Sequence, residues 1–403
     1  MLPLKKNRVS DPNSFREAVI EFVHARSTGR PGEYTMCSGG EVTLYSSCFA
    51  AMTLHYLNGI KDMGKGDRRA WVDYIRQWQD PDSGIFIGPE IVPGELTSSI
   101  HDWTHVTMHL TAHAVPALHI LGGRPAYALR FAKRFLDLNR LSQWLQRRDW
   151  RKAWLEGNNL LFVGQFLIYL RDFEQCDEAQ VALNLLFEWL NREQDPATGL
   201  WGTDGYCDAF DAIYGGYHQL LLYYYCNRPV PHAERIIDTG LGLQHSDGGF
   251  ARDWGGGACE DVDVVDILVN LYKRTGHRPR AVRRALQLAL DNILNQQLAD
   301  GGFVYRKGQT FSQMGIQRTQ VPANTSELFS TWFRVHTIAL ASQVIADHEL
   351  SEIPWKFNNT CSMGWNAPQP LPEPKVDPWY DLLPLRWRRL GDRISKRAMR
   401  FLG

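Results

Sequence analysis

Four acidic side chains lie close together near the start of one apolar stretch of the chain. They are Glu260, Asp261, Asp263 and Asp266, and the residues after them in CEDVDVVDILVNLY are mostly Ile, Leu and Val. One acid in the first turn of a helix is favoured by the helix macrodipole, but four exceed that requirement. Either they form a solvated or arginine-paired helix start, with Arg334 as one partner, or they face a cavity. In a cavity, burial or a neighbouring carboxylate can keep one acid protonated and able to donate a proton.

A second group of candidate residues is a stripe of histidines in the segment SSIHDWTHVTMHLTAH. His101 and His105 are four positions apart, a spacing that places two metal ligands on one face of a helix. Cys259, on another predicted helix, can complete a site for a divalent metal such as zinc or magnesium. His109 and His113 continue the stripe, which fits hydrogen bonding in a cavity equally well. The histidines therefore leave a metal site, a polar-substrate site and a structural role open.

Repeated turns organise the helices that must position these residues. Four segments share a Gln, then three or four polar or small residues, a Gly, one more residue, and Phe or Trp. Because Gly adopts positive φ without strain, each segment is predicted to be a turn that follows a helix and is closed by the Gln side chain. The segments are YIRQWQDPDSGIF (74–86), WLNREQDPATGLW (189–201), TGLGLQHSDGGF (239–250) and NILNQQLADGGF (292–303).

Two kinds of helix alternate around these turns. Amphipathic helices lie on a surface, whereas helices that are apolar all round are buried on all sides. Since no pair can bury its apolar face alone, the alternation predicts an all-α fold, an α6/α6 toroid with six inner and six outer helices around a central cavity. The inner helices are predicted at 41–58, 99–121, 157–170, 206–225, 259–272 and 327–346, and the outer ones at 14–26, 68–79, 126–145, 178–193, 231–244 and 279–296.

The last part of the chain has a different composition. Seven of the 20 prolines fall between positions 354 and 384, too many for regular secondary structure. We therefore expect residues 1–347 to form the toroid and residues 348–403 to form a tail that wraps its outside. The end of the tail, LRWRRLGDRISKRAMRFLG, is predicted to be a basic amphipathic helix. Such a helix can dock on the toroid or lie on anionic lipid, which leaves peripheral membrane contact open.

Charge and hydropathy argue against several other classes of protein. Lys and Arg together number 44, as do Asp and Glu, so no net basic field favours nucleic acid as a partner. No run of apolar residues is long enough to predict a membrane-spanning helix or a signal peptide. The seven cysteines form no CxxC pair, which favours a reducing, cytoplasmic compartment. The sequence does not indicate an oligomeric state.

The turns resemble the QW motif of squalene and hopene cyclases, in the terpene cyclase and protein prenyltransferase superfamily. Trp189, Leu190, Gln194, Gly199 and Trp201 fit the motif in full. The other three segments end in Phe, which is closer to the turns of prenyltransferase β subunits. The resemblance covers about residues 15–346 and implies the same toroid, a fold that carries cyclases, prenyltransferases and proteins that are not enzymes.

The segment DVDVVD resembles the DxDD motif of class II terpene cyclases, in which the middle Asp protonates an alkene or epoxide. The resemblance implies Asp263 as the general acid and Asp261 as the first acid of the motif. Val264 stands where the family has a second adjacent Asp, and Asp266, three positions after Asp263, can partly substitute for it. The implied function is a class II-like cyclisation of a terpene or polyprenyl substrate, an isomerisation that needs no cofactor.

Polar and aromatic residues near the predicted starts of the inner helices are the candidate substrate-binding residues. Aromatic rings there would stabilise a carbocation. No cluster of Lys or Arg is placed to hold a diphosphate, which disfavours a prenyl-diphosphate transferase. The alternatives are a metal-dependent transferase or polysaccharide lyase-like enzyme that uses His101 and His105, and a non-catalytic toroid that binds an isoprenoid or a protein. The candidates are Tyr45, Trp103, His101, His105, Asn158, Asp208, Tyr214, Tyr217, His218, Glu260, Trp332 and Arg334.

Overall fold

The computed structural model describes residues 11–367, 369–373 and 375 of the chain. In this part of the chain the regular structure is α-helical, with short 3₁₀ segments and isolated β-bridges, so the predicted all-α class is confirmed. The α-helices of the described residues are α1 (Pro12–His24), α2 (Leu44–Tyr56), α3 (Lys65–Arg76), α4 (Trp103–Ile120), α5 (Leu138–Gln146), α6 (Ala153–Phe173), α7 (Glu178–Glu193), α8 (Ala209–Tyr225), α9 (Ala233–Leu243), α10 (Ala258–Thr275), α11 (Pro279–Leu294) and α12 (Leu328–Ser342).

The even-numbered helices form an inner ring. They are buried along almost their whole length, each contacts the next, and α12 contacts α2, so the ring closes. The odd-numbered helices lie outside and bury one face, as in α11, where buried positions recur every three or four residues. Because an outer helix returns the chain after each inner one, the inner helices run in the same direction. The toroid therefore has one end where the inner helices begin and another where they finish.

The glutamines of the repeated turns bond to the turn backbone, as the sequence indicated. Gln244 donates through Nε2 to the carbonyl oxygens of Gly248, at 3.0 Å, and of Ala285 in α11, at 2.7 Å. Gly248 has a φ of +96°, and a Cβ at this position would lie 2.0 Å from the carbonyl oxygen of Leu288. The turn therefore requires Gly, and its Gln connects one helix pair to the next.

One predicted outer helix is wrong in its extent. The sequence predicted a continuous helix over residues 126–145, but the chain forms a 3₁₀ helix over Arg130–Leu136 and starts α5 only at Leu138. The carboxylate of Asp137 accepts hydrogen bonds from the backbone N–H groups of Asn139 and Arg140, at 3.0 and 3.2 Å. Such a side chain caps a new helix rather than continuing the previous one.

Part of the Pro-rich tail closes the far end of the ring instead of wrapping its outside. Residues 358–366, which we call the floor segment, include side chains as buried as Asn358, at 1% exposure. The hydroxyl of Tyr56, at the end of α2, donates to the carbonyl of Gly364 at 2.8 Å. Lys273, in the last turn of α10, donates to Asn366 Oδ1 at 2.9 Å. The floor segment thus lies opposite the end where the inner helices begin.

The sequence raised two expectations about membranes, namely the absence of a spanning helix and a basic amphipathic helix near the C-terminus. Among the described helices, none is long and apolar enough to cross a bilayer. The predicted basic amphipathic helix near the C-terminus lies outside the described residues.

Candidate functional site

A cavity of about 630 Å³ opens at the end of the ring where the inner helices begin. Its volume is within the range of small-molecule sites. Side chains of α4, α6, α8, α10 and α12 form its walls, and loop residues 97–101 and 309–315 surround its mouth. The aromatic and acid–base groups of the lining are His101, His109, Trp154, His218, Cys259, Asp263, Tyr305, Phe311, Phe329 and Phe333.

The two loops at the mouth are joined to each other. The backbone N–H of Thr97 donates to the carbonyl oxygen of Gly315 at 2.8 Å. Arg318 forms ion pairs with Glu95 at 2.8 Å and with Glu41 at 3.3 Å. Because these contacts connect segments more than 200 positions apart, the mouth has a defined shape rather than two independent loops.

Asp263 is the carboxyl group of the acidic cluster that lines the cavity. It is 1% exposed, and its Oδ2 has no hydrogen-bond partner among the described residues. Burial raises the pKa of Asp263 well above its usual range, and the nearby carboxyl groups of Glu260, Asp266 and Asp261 act in the same direction. The protonated form is therefore favoured, which is the condition a proton donor requires.

Asp261 is held in an ion pair behind the cavity wall. Its carboxylate pairs with the fully buried guanidinium of Arg334 and accepts the backbone N–H of Phe250 at 3.0 Å. Burial raises the pKa of Asp261 to about 6, while Arg334 opposes the rise, so this carboxyl is mostly ionised at neutral pH. Arg334 also donates to the carbonyls of Gly256, at 2.9 Å, and Tyr305, at 2.7 Å. This pair anchors the turn before α10 and does not line the cavity.

The other two acids of the cluster have separate surroundings. Asp266 is fully buried one turn deeper in α10, and burial raises its pKa to about 7. Glu260 accepts the hydroxyl of Tyr305 at 2.6 Å and lies 4.0 Å from Arg306. Neither lines the cavity, so the acids of one helix divide into a cavity-facing Asp263 and three acids that surround or support it.

Histidines on two inner helices line the cavity together with Asp263. His218 donates its Nδ1–H to the carbonyl of Tyr214 at 2.8 Å, which leaves Nε2 as the acceptor nitrogen. Burial lowers the pKa of His218 to about 4 and lowers the pKa of His109 well below its usual value, so both rings are neutral at pH 7. The hydroxyl of Tyr45, which does not line the cavity, forms a hydrogen bond of 2.8 Å with Nδ1 of His109 and holds its ring in place. Neutral imidazoles can accept a proton at the end of a reaction.

The candidate metal ligands are not brought together. His101 and His105 stack with their ring centroids 5.0 Å apart, and His105 Nδ1 bonds to Asn159 Oδ1 at 3.0 Å. His105 lines a second cavity of about 220 Å³, whereas Cys259 lines the main one. No three His, Cys, Asp or Glu side chains of the described chain converge as ligands. Of the four histidines in the stripe, His101 and His109 line the main cavity.

The remaining predicted substrate-binding residues divide between lining and support. Asn158 lines the cavity together with His101 and His218. The hydroxyl of Tyr214 donates to the carbonyl of Phe250 at 2.7 Å, and Asp208 pairs with Arg252 near the surface. Four further aromatic residues are absent from the lining of the described cavity and pack in or against the hydrophobic core. These are Tyr45, Trp103, Tyr217 and Trp332.

Several lining residues were not identified from the sequence. Phe329 and Phe333 are one turn apart on α12, and their spacing in LFSTWFRVH could have indicated a shared face. Tyr305 and Phe311 belong to the loop between α11 and α12, where no periodic pattern exists. Met363 reaches the cavity from the floor segment, which the sequence placed outside the ring. The positions of Tyr305, Phe311 and Met363 depend on long-range packing and not on local spacing.

A scan against protein-family models and a search of curated proteins found no match. Solved structures that resemble the chain include a polysaccharide lyase, with 11% identity over 83% of this chain and 98% of that chain and a TM-score of 0.48. A GH76 α-mannanase from Bacteroides thetaiotaomicron has 13% identity over 84% and 97%, with a TM-score of 0.48. The type II terpene cyclase MstE from Scytonema has 12% identity over 84% and 98%, with a TM-score of 0.47. Such distant matches do not decide a reaction or substrate.

Proposed function

We propose that the protein is a class II-like cyclase that starts cyclisation of a terpene or polyprenyl chain by protonation from Asp263. The observation that carries this proposal is a buried carboxyl group that lines an aromatic-walled cavity with one oxygen unpartnered among the described residues. Burial raises the pKa of this group, so it holds the proton that the first step requires. The mixed lining, with three phenylalanines, suits a largely apolar substrate.

The proposed reaction balances without an oxidant or reductant. The O–H bond of Asp263 breaks, and the proton adds to an alkene carbon or to an epoxide oxygen, leaving a carbocation on the substrate. Alkene π electrons then form the ring bonds, and a C–H bond finally loses its proton. Trp154, Phe329 and Phe333 supply ring faces for the cation. His109 and His218, both neutral, are candidates for accepting the final proton.

The test is product formation by wild type and Asp263→Asn with farnesyl diphosphate, geranylgeranyl diphosphate, squalene and a terminal squalene epoxide. We expect a cyclised isomer from wild type and at least about a hundredfold less from Asp263→Asn, because a general acid contributes roughly that much. Asp208→Asn is the matched control, since Asp208 pairs with Arg252 outside the cavity and Asn also caps a helix.

The pH profile adds an independent readout. Asp263 acts only when protonated, so product formation should fall as pH rises through its raised pKa and should not fall on mild acidification until the fold fails. Undiminished product from Asp263→Asn would remove the proton-donor assignment. No product from any of the four substrates, with the fold intact, would favour a non-catalytic binding toroid or a polar substrate instead.

A further inference from the structure

The floor segment is fixed to several inner helices where they finish. Besides the bonds from Tyr56 and Lys273, Asn366 Nδ2 donates to Asn270 Oδ1 of α10 at 3.0 Å. Trp365 contacts Tyr225 at the end of α8, with ring centroids 5.3 Å apart. The segment therefore closes the ring from below, as part of the packed core.

A compact turn within the floor segment orients Met363. The backbone N–H of Asn358 donates to the carbonyl of Gly364 at 3.0 Å, and Asn358 Nδ2 donates to the carbonyl of Met363 at 3.2 Å. Gly364 has a φ of +98°, and a Cβ there would lie 2.5 Å from the hydroxyl oxygen of Tyr56. Met363 is 4% exposed and still belongs to the cavity lining, so its side chain is held at the bottom of the site.

The distance from Asp263 to the floor segment can be estimated along α10, because this helix carries Asp263 and also contacts the floor segment. Asp263 and Asn270 lie on the same helix seven positions apart, which corresponds to about 10 Å of helix rise. Asn270 is the residue that bonds the floor segment. An apolar chain that passes Asp263 therefore has roughly that depth before it meets Met363.

We propose that Met363 sets the length of the apolar chain that the cavity accepts. The inference rests on the proposed function in taking an extended prenyl chain as the ligand. A methionine at the closed end excludes additional methylene groups by volume, and its removal creates space that a longer chain can fill. Burying further methylene groups strengthens binding, whereas an overfilled site forces side chains out of their preferred rotamers.

The experiment measures binding of farnesol and geranylgeraniol to the full-length protein by quenching of tryptophan fluorescence. Trp154 in the cavity wall provides the signal. We expect Met363→Ala to raise the affinity for geranylgeraniol relative to farnesol by about tenfold, since several more methylenes become buried. Met363→Trp should shift the same ratio in the opposite direction.

Met36→Ala is the matched control. Met36 is also buried, at 1% exposure, and does not line the cavity, so its loss creates a core defect without changing the floor. Circular dichroism and thermal unfolding establish that each variant is folded. In this control the affinity for geranylgeraniol relative to farnesol should be that of wild type.

An unchanged ratio in folded Met363→Ala and Met363→Trp overturns the proposal, as does failure of both alcohols to bind wild type. If the Met363 variants change the affinity for geranylgeraniol relative to farnesol but wild type forms no cyclised product, the proposed reaction is refuted and the role of Met363 stands.

Discussion

At the level of single residues, the four acids of α10 differ in their roles because their neighbours differ. Asp263 borders the cavity, whereas Asp261 is neutralised by Arg334, which is fully buried. A buried ion pair contributes little by itself compared with apolar packing, but removal of one partner leaves an uncompensated charge in the core. The pair is therefore a structural support for the turn before α10, and Asp263 is the group free for chemistry.

Arg334→Met should lower the free energy of unfolding by about 3–5 kcal/mol, because Asp261 then remains buried without its cation. The double variant Asp261→Asn/Arg334→Met should recover part of that loss. Urea unfolding measures both. The control is Arg252→Met, since Arg252 is 46% exposed in its pair with Asp211, at 2.8 Å, and such pairs contribute about 0–1 kcal/mol. Equal losses in the two single variants would contradict the structural role of Arg334.

At the scale of elements, the repeated turns connect successive helix pairs. Gln194 shows the same arrangement as Gln244, donating to Gly199 in its own turn at 2.6 Å and to Pro231 before the next outer helix at 3.0 Å. The Gln is repeated because its side chain joins two neighbouring helix pairs by hydrogen bonds. It satisfies buried carbonyls of two units at once, and an unsatisfied buried carbonyl is costly.

Gln244→Ala should lower the free energy of unfolding by about 2–4 kcal/mol, because two buried carbonyls lose their donor. Gln297→Ala is the comparison, since Gln297 donates to Gly301 within its own turn at 2.9 Å and to no second acceptor among the described residues. We expect Gln297→Ala to lower the free energy of unfolding by roughly half as much as Gln244→Ala does. Chemical denaturation of both variants gives the difference, and a larger loss for Gln297→Ala would count against the bridging role.

At the scale of the whole molecule, the ring is closed at one end by the floor segment and bordered by joined loops at the other. The site therefore depends on segments far apart in the chain, since Glu95 and Arg318 meet at the mouth and Tyr56 and Gly364 meet at the floor. Because the inner helices pack against one another in a closed ring, a local change at the floor is expected to affect the stability of the ring as well as the cavity.

Gly364→Ala should destabilise the protein more than Gly122→Ala does. Both glycines have positive φ, which costs another residue about 1–2 kcal/mol, but only at Gly364 would a Cβ meet Tyr56. At Gly122 no heavy atom of the described chain lies within 4 Å of that Cβ. Thermal unfolding compares the two, and hydrogen exchange should show loss of protection at residues 358–366 in Gly364→Ala. Equal melting temperatures would mean that the floor is not tightly held.

Features that depend on local spacing can be read from the amino-acid sequence. The alternation of apolar and amphipathic helices, the Gln–Gly turns and the position of Asp263 in a crowded acidic cluster all follow from neighbours within one or two turns of chain. The ion-paired acid and the floor segment are known only from the folded chain, since Asp261 and Arg334 are 73 positions apart and Tyr56 and Gly364 are 308 positions apart. Such contacts arise when the ring closes, and no periodicity in the chain encodes their partners.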